Sequence, residues 1–249
     1  MEAIIFGHSH VWSVKRALAS AKAVNNIKYN IILCGTKEFP GPLVNFNMNG
    51  EPNLNQALIS ALNQYEPNKE TYLVSISQGN YYNQFGMYVG NRAFDIDISG
   101  LADLPEQPDL DIVPLGAVRE ELTLLANEVP LFLKMITNFG YAGLIVVGPP
   151  PPPKDDLHIL DLAKRSGKLS AISMPALTRL KLWHVQNAII HEMCDKYNAK
   201  YLVNAKPELC DPMGFTQAQY VKDAVHVDHH FSKVMIDMLS ECILSLSKA

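Results

Sequence analysis

Five short runs along this chain are almost continuously apolar: residues 3–6, 31–34, 72–76, 144–147 and 201–203. Strands that face water on one side alternate apolar with polar residues, whereas unbroken runs belong to strands covered on both faces. Between the runs lie longer stretches, 11–24, 54–65, 118–139, 177–197 and 231–246, with the periodicity and length of helices. In the fourth of these, Leu177, Leu180, Trp183, His184 and Asn187 keep the three- and four-residue spacing of an amphipathic helix. Asn53 is placed to cap the second. Alternation of this kind predicts an α/β fold, a five-stranded parallel sheet of flavodoxin-like order with right-handed crossovers.

Two segments break the rhythm. Residues 81–116 are rich in Asp, Pro and Gly and hold no long element, which reads as an insertion over the strand ends, a lid or a specificity loop. Five consecutive prolines, 149–153, follow the fourth run directly and make a stiff, extended exit from that strand. Asp155 and Asp156 come next and suit a cap or a solvated turn.

At 249 residues the chain has the length of one domain, 1–249. Its 48% apolar and 18% charged residues suit a sizeable core. The net charge of -4, with Lys and Arg scattered, offers no footprint for nucleic acid or an anionic membrane. Residues 1–6 read as a first strand rather than a signal peptide, and no run reaches transmembrane length. Cys34, Cys194, Cys210 and Cys242 lack metal or redox spacing and suit buried thiols, so a cytoplasmic location is expected.

Candidate chemistry gathers in three places. Ser9, in Gly7-His8-Ser9-His10, follows the first strand and opens a helix, where free amides and the helix dipole favour an anion. Asn80, in Gly79-Asn80, follows the third strand, and in a flavodoxin-like sheet these two ends flank the point where strand order reverses. Asp223 and His226 stand three apart before the last helix, so the carboxylate can orient the imidazole while its far nitrogen reaches Ser9. The Ser9 amide, the Asn80 side chain and a glycine amide after the second strand would hold an oxyanion.

These blocks resemble the SGNH, or GDSL, hydrolase family in order and placement over nearly the whole chain. The resemblance implies a three-layer α/β/α sandwich and a serine esterase, acetylesterase or lipase-like activity on a small-molecule ester, with no cofactor. It implies Ser9 as nucleophile, Asp223 and His226 as its acid-base pair, and Ser9, Asn80 and a glycine as oxyanion donors. Gly50, in the turn before the helix leading to the third strand, is the glycine chosen, with Gly35 and Gly41 competing. Two positions depart from the family: His8 stands where Asp is usual, and no Asp follows Asn80. His8 and His10 are then expected to hold the turn or touch substrate, and Tyr81 and Tyr82 to line a pocket or pack beneath it.

Two rival readings use the same residues. His8 and His10, with His226, Asp228, His229 and His230, could bind Zn²⁺ and generate hydroxide without Ser9. Alternatively the domain binds an ester or sugar without turnover. His184 and His191 are expected to pack or face solvent on their helix. Gly86, Gly90 and Gly100 form no phosphate loop.

Overall fold

The computed structural model describes residues 1–19, 23–37, 39–77, 79–89, 92–167 and 172–248. Five parallel strands form its centre: β1 (Glu2–Gly7), β2 (Ile27–Leu33), β3 (Thr71–Ile76), β4 (Gly143–Val147) and β5 (Lys200–Leu202). Their order is β2-β1-β3-β4-β5, the flavodoxin-like arrangement the sequence predicts. A two-residue strand, Ala23–Val24, adds an antiparallel edge beside β2.

Seven helices accompany the sheet, with single helical turns elsewhere among the described residues. They are α1 (Val11–Leu18), α2 (Gln56–Leu62), α3 (Leu115–Leu125), α4 (Glu128–Ile136), α5 (Leu157–Arg165), α6 (Ala176–Lys196) and α7 (His229–Leu246). Successive strand residues serve opposite layers, as their period of two requires. Ile4, Phe6, Leu73 and Val146 meet Leu58, Phe132 and Ile190 from α2, α4 and α6. Ala3, Ile5, Val74 and Ile145 meet Val14, Met235 and Leu239 from α1 and α7. Each such fully buried aliphatic side chain contributes roughly 1.5–3 kcal/mol. The result is a three-layer α/β/α sandwich.

Several elements differ from the sequence pattern for identifiable reasons. The stretch 118–139 is α3, α4 and a terminal 3-10 turn, Thr137–Phe139, rather than one helix. Pro130 has no amide to offer Ala126, so the helix ends near Ala126 and restarts with the proline in its first turn. Asn53 is not a cap: it lies in a hairpin made by Val44–Phe46 and Pro52–Leu54. Asn55 caps α2 instead, accepting from the Ala57 amide at 2.8 Å. Helix α1 ends at Leu18, short of the expected residue 24, because Ala23–Val24 joins the sheet edge. Asp155 accepts the Leu157 amide at 2.8 Å and thereby starts α5, a helix absent from the sequence pattern above.

Helix α6 departs most: it is buried nearly all round instead of amphipathic. Its inner side meets the sheet, and its outer side carries a further core in which Tyr82, Ile96, Ile98 and Leu122 pack on Leu180 and Val185. Much of that outer layer comes from residues 81–116, whose short strands Tyr88–Val89 and Phe94–Ile96 pair with Ile172–Ser173 and Asp111–Val113. Asp95 from this layer meets Lys181 of α6 at 2.7 Å, both side chains being almost fully buried. The proline run is likewise interior, with Trp183 Nε1 donating to Pro149 O at 3.0 Å and the Thr216 hydroxyl to Pro151 O at 2.6 Å. Among the described residues no helix is long and apolar enough to cross a membrane.

Candidate active site

Register alone brings the first two blocks together. Strand β1 runs level with β3 from Glu2 beside Thr71 to Gly7 beside Ile76, so the turns after them leave the same edge of the sheet. Gly7 makes this closeness possible, because a Cβ there would lie 2.3 Å from the Ile76 carbonyl oxygen. Residues 8–10 then form a tight turn, with Val11 N donating to His8 O at 3.0 Å and Trp12 N to Ser9 O at 3.3 Å. Ser9 sits exposed at its apex.

The histidines flanking Ser9 turn to different neighbours. Gly35, just after β2, lies under His8: a Cβ on that glycine would be 3.0 Å from His8 Nδ1. His10 turns toward β3 and the terminal loop, its ring centroid 5.1 Å from that of His226 and its Nε2 3.4 Å from Asn80 Nδ2. Burial, with the charge of His226, lowers the His10 pKa from 6.5 to about 4 against the opposing pull of Asp223. At neutral pH His10 is therefore an uncharged imidazole, able to accept from the Asn80 amide. Burial lowers the pKa of His8 as well.

Asn80 is held from below by α6. Gln186 donates to Gly79 O at 2.9 Å and accepts the Tyr82 amide at 2.8 Å, gripping the chain on both sides of the asparagine. The Asn80 amide nitrogen also approaches Val225 O at 3.5 Å, which links this turn to the terminal loop. Tyr81 lays its ring against Gly79, and burial pushes its hydroxyl up to about 12. Tyr82 is wholly interior.

The terminal loop folds around Asp223. Its Oδ1 accepts the Val225 amide at 3.0 Å and the His226 amide at 2.9 Å, and the same oxygen lies 2.9 Å from His226 Nδ1. Burial works to raise the carboxyl's pKa, but the Val225 amide, the charge of His226 and the His226 hydrogen bonds outweigh it and hold the group below the usual range. An ionised Asp223 fixes the proton of His226 on Nδ1, which leaves Nε2 as an acceptor. Sequence spacing alone thus builds an oriented imidazole.

Other expected residues are placed elsewhere. Gly50 is not brought to Ser9: it occupies the exposed tip of the hairpin, and its amide donates to Asn47 O at 2.9 Å, so it has none for an oxyanion. Gly35 borders the site, yet its amide donates to Phe39 O at 2.9 Å. Gly41 faces Asn55. Among the described residues the Ser9 hydroxyl makes no hydrogen bond to His226 or Asn80.

The metal reading loses its proposed ligand set. Among the described residues, one group of potential ligands converges, Asp228, His229 and His230, with donor atoms within 4.8 Å of one another. His8 and His10 are not part of it. Asp228 Oδ1 is committed to capping α7, accepting from His230 N and Phe231 N at 2.9 Å each.

Gln186 carries no sequence signal of its own, being one of several polar residues on a helix that also holds Arg179, Lys181 and Asn187. His184 and His191 fall where expected, the first edge-on to Trp183 and the second exposed and stacked on Tyr201.

No family model matches the chain, and no curated protein matches it in sequence. Solved structures are similar to it. A Bacteroides fragilis protein assigned as an acylhydrolase superposes with a TM-score of 0.51 at 8% identity, over 99% of this chain and 88% of its own. A GDSL-like lipase from Bacteroides thetaiotaomicron gives 0.46 at 9% identity, over 98% of this chain and 88% of its own. A carbohydrate acetylesterase family member from Sinorhizobium meliloti gives 0.45 at 12% identity over 100% of both chains. The chain shares the three-layer α/β/α fold of the Bacteroides fragilis protein.

Proposed function

We propose that this protein is a serine hydrolase of carboxylic esters, with Ser9 as nucleophile, His226 as base and Asp223 as the carboxylate that orients it. The observation that carries this reading is the Asp223 contact to His226 Nδ1 at 2.9 Å, at the sheet edge where the Ser9 turn emerges. The assignment of the Bacteroides fragilis neighbour as an acylhydrolase agrees with it.

In the proposed reaction, His226 Nε2 takes the Ser9 proton as Oγ attacks the ester carbonyl. The Ser9 hydroxyl meets the base in the substrate complex, since such contacts commonly tighten only with substrate present. The Ser9 amide, which makes no backbone hydrogen bond among the described residues, and Asn80 Nδ2, exchanging its long 3.5 Å contact to Val225 O for the substrate, receive the oxyanion. His226 then protonates the departing alkoxide, and a water activated by the same nitrogen releases the acyl group. Neutral His10 shields one side of His226 and accepts from Asn80 without adding a competing charge.

The acyl group expected is a small one, such as acetyl. The unbonded Ser9 hydroxyl favours a second reading, a binding domain without turnover. A fluorophosphonate separates the two: intact mass should show one adduct on the wild type, none on Ser9→Ala, and no effect of chelator. Failure of the folded wild type to react would remove the activated serine and leave the binding role.

A further inference from the structure

Beneath the site, at the carboxyl ends of β1, β3, β4 and β5, lies a cavity of about 20 Å³ bordered by His10, Asn80, Gly148, Asn204 and Ser232. That is the space of one water molecule. Two amide carbonyl oxygens belong to the residues around it, Asn80 Oδ1 and Asn204 Oδ1, and each is buried without a hydrogen-bond partner among the described residues. Asn204 itself is only 3% exposed. A buried acceptor left unpaired is costly, so two bordering the same cavity call for a shared donor.

Three of the protein's own donors nearby are committed. Ser13 donates to His10 O at 2.8 Å, Ser232 to Ser13 at 2.8 Å, and Gly148 N to Leu202 O at 2.9 Å. Turning the Asn80 amide over does not resolve the problem, because it would set the amide oxygen against Val225 O, a carbonyl that can only accept. A cation would find two carbonyl oxygens and otherwise largely apolar walls, too little to replace its hydration. Water has two O–H donors, one for each oxygen.

We propose that a single water in this cavity bridges Asn80 Oδ1 and Asn204 Oδ1, making Asn204 a positioning residue that fixes the orientation of the Asn80 amide. The kinetic part of this inference rests on the proposed ester hydrolysis, and the structural part does not. Asn204 lies 124 residues from Asn80 in sequence and touches no reacting atom in the proposed mechanism.

A high-resolution crystal structure of the wild type tests the bridge directly. A density peak within hydrogen-bond distance of both oxygens supports it; no peak, or one with the short contacts and extra ligands of a cation, overturns it. In Asn204→Ala, kcat should fall roughly tenfold with KM unchanged, a fraction of the ~10²- to 10³-fold expected for losing an oxyanion donor outright. In an Asn80→Ala background the same change should remove nothing further. Independent, multiplying losses would overturn the positioning role. A wild type that hydrolyses no ester would sink the proposed function, while diffraction would still decide whether the water holds Asn80.

Discussion

A methyl group added to Gly7 would collide with the Ile76 carbonyl oxygen at 2.3 Å and with Val11 at 2.9 Å. Neither neighbour can yield, one being the backbone of β3 and the other the first residue of α1. Gly7→Ala should therefore lower stability by about 3 kcal/mol, as overpacking at a rigid site does, and urea unfolding near the wild-type midpoint would refute the collision. Asp223 tests the chemistry rather than the fold. Asp223→Asn keeps the side chain's shape but removes the charge that holds the His226 proton on Nδ1, so kcat on an ester should drop about 10³-fold with the fold intact. A rate within a factor of two of wild type would mean that His226 does not act as an oriented base. Residues of this kind were legible because their signals are local: Asp223 and His226 lie three apart, and Ser9 and Asn80 each follow a strand. Gln186 and Asn204 were not, since what they hold lies more than 100 residues away. Gly50 misled for the opposite reason, its Asn49-Gly50 turn being real but belonging to a hairpin that the apolar pattern did not reveal.

Helix α6 sets the relation between sheet and outer layer. Its polar residues are spent inward: Gln186 grips the Asn80 turn, Arg179 donates to the carbonyls of Met174 and Pro153, and Lys181 meets Asp95. Gln107 completes the shell of Asp95, donating from Nε2 to Oδ1 at 2.9 Å and from its amide to Oδ2 at 3.0 Å. Asp95→Asn leaves the Lys181 ammonium buried without its counter-charge and should cost about 3–5 kcal/mol. Pairing Asp95→Leu with Lys181→Met removes both charges and should be the milder change, because an apolar pair avoids their desolvation. Urea denaturation of both variants checks the order; a double variant less stable than the single one would show that the charges themselves hold the layer. An amphipathic reading of α6 missed this arrangement because periodicity reports one buried face, and the second face here is covered by residues from 81–116. Pro130 and Asn55 show the same limit at element ends, where a missing amide or a single cap overrides the pattern.

At the scale of the whole molecule the strand order was legible, because unbroken apolar runs separated by helices admit few sheets, and that order alone sets Ser9 and Asn80 side by side. The same packing makes stability depend on pH. His8, His10 and His184 all have pKa values lowered by burial, His10 to about 4. In the unfolded chain these imidazoles take up protons near 6.5, whereas the folded protein refuses them until the pH is lower. Between those values the unfolded state binds more protons, so stability rises with pH; the contribution is fully present above 6.5 and is lost as the pH falls toward 4. Asp223, depressed below its usual 3.8, adds a second and more acidic window, present above that value and lost beneath it. One imidazole can contribute at most about 1.4 kcal/mol per pH unit. Unfolding free energies from urea titrations should hold level from pH 8 to 7 and then decline, and His10→Gln, which cannot take up the proton, should decline less steeply between pH 6.5 and 4. Parallel curves for the two proteins would mean that the His10 ring meets water freely, and would remove the neutral imidazole from its place between Asn80 and His226.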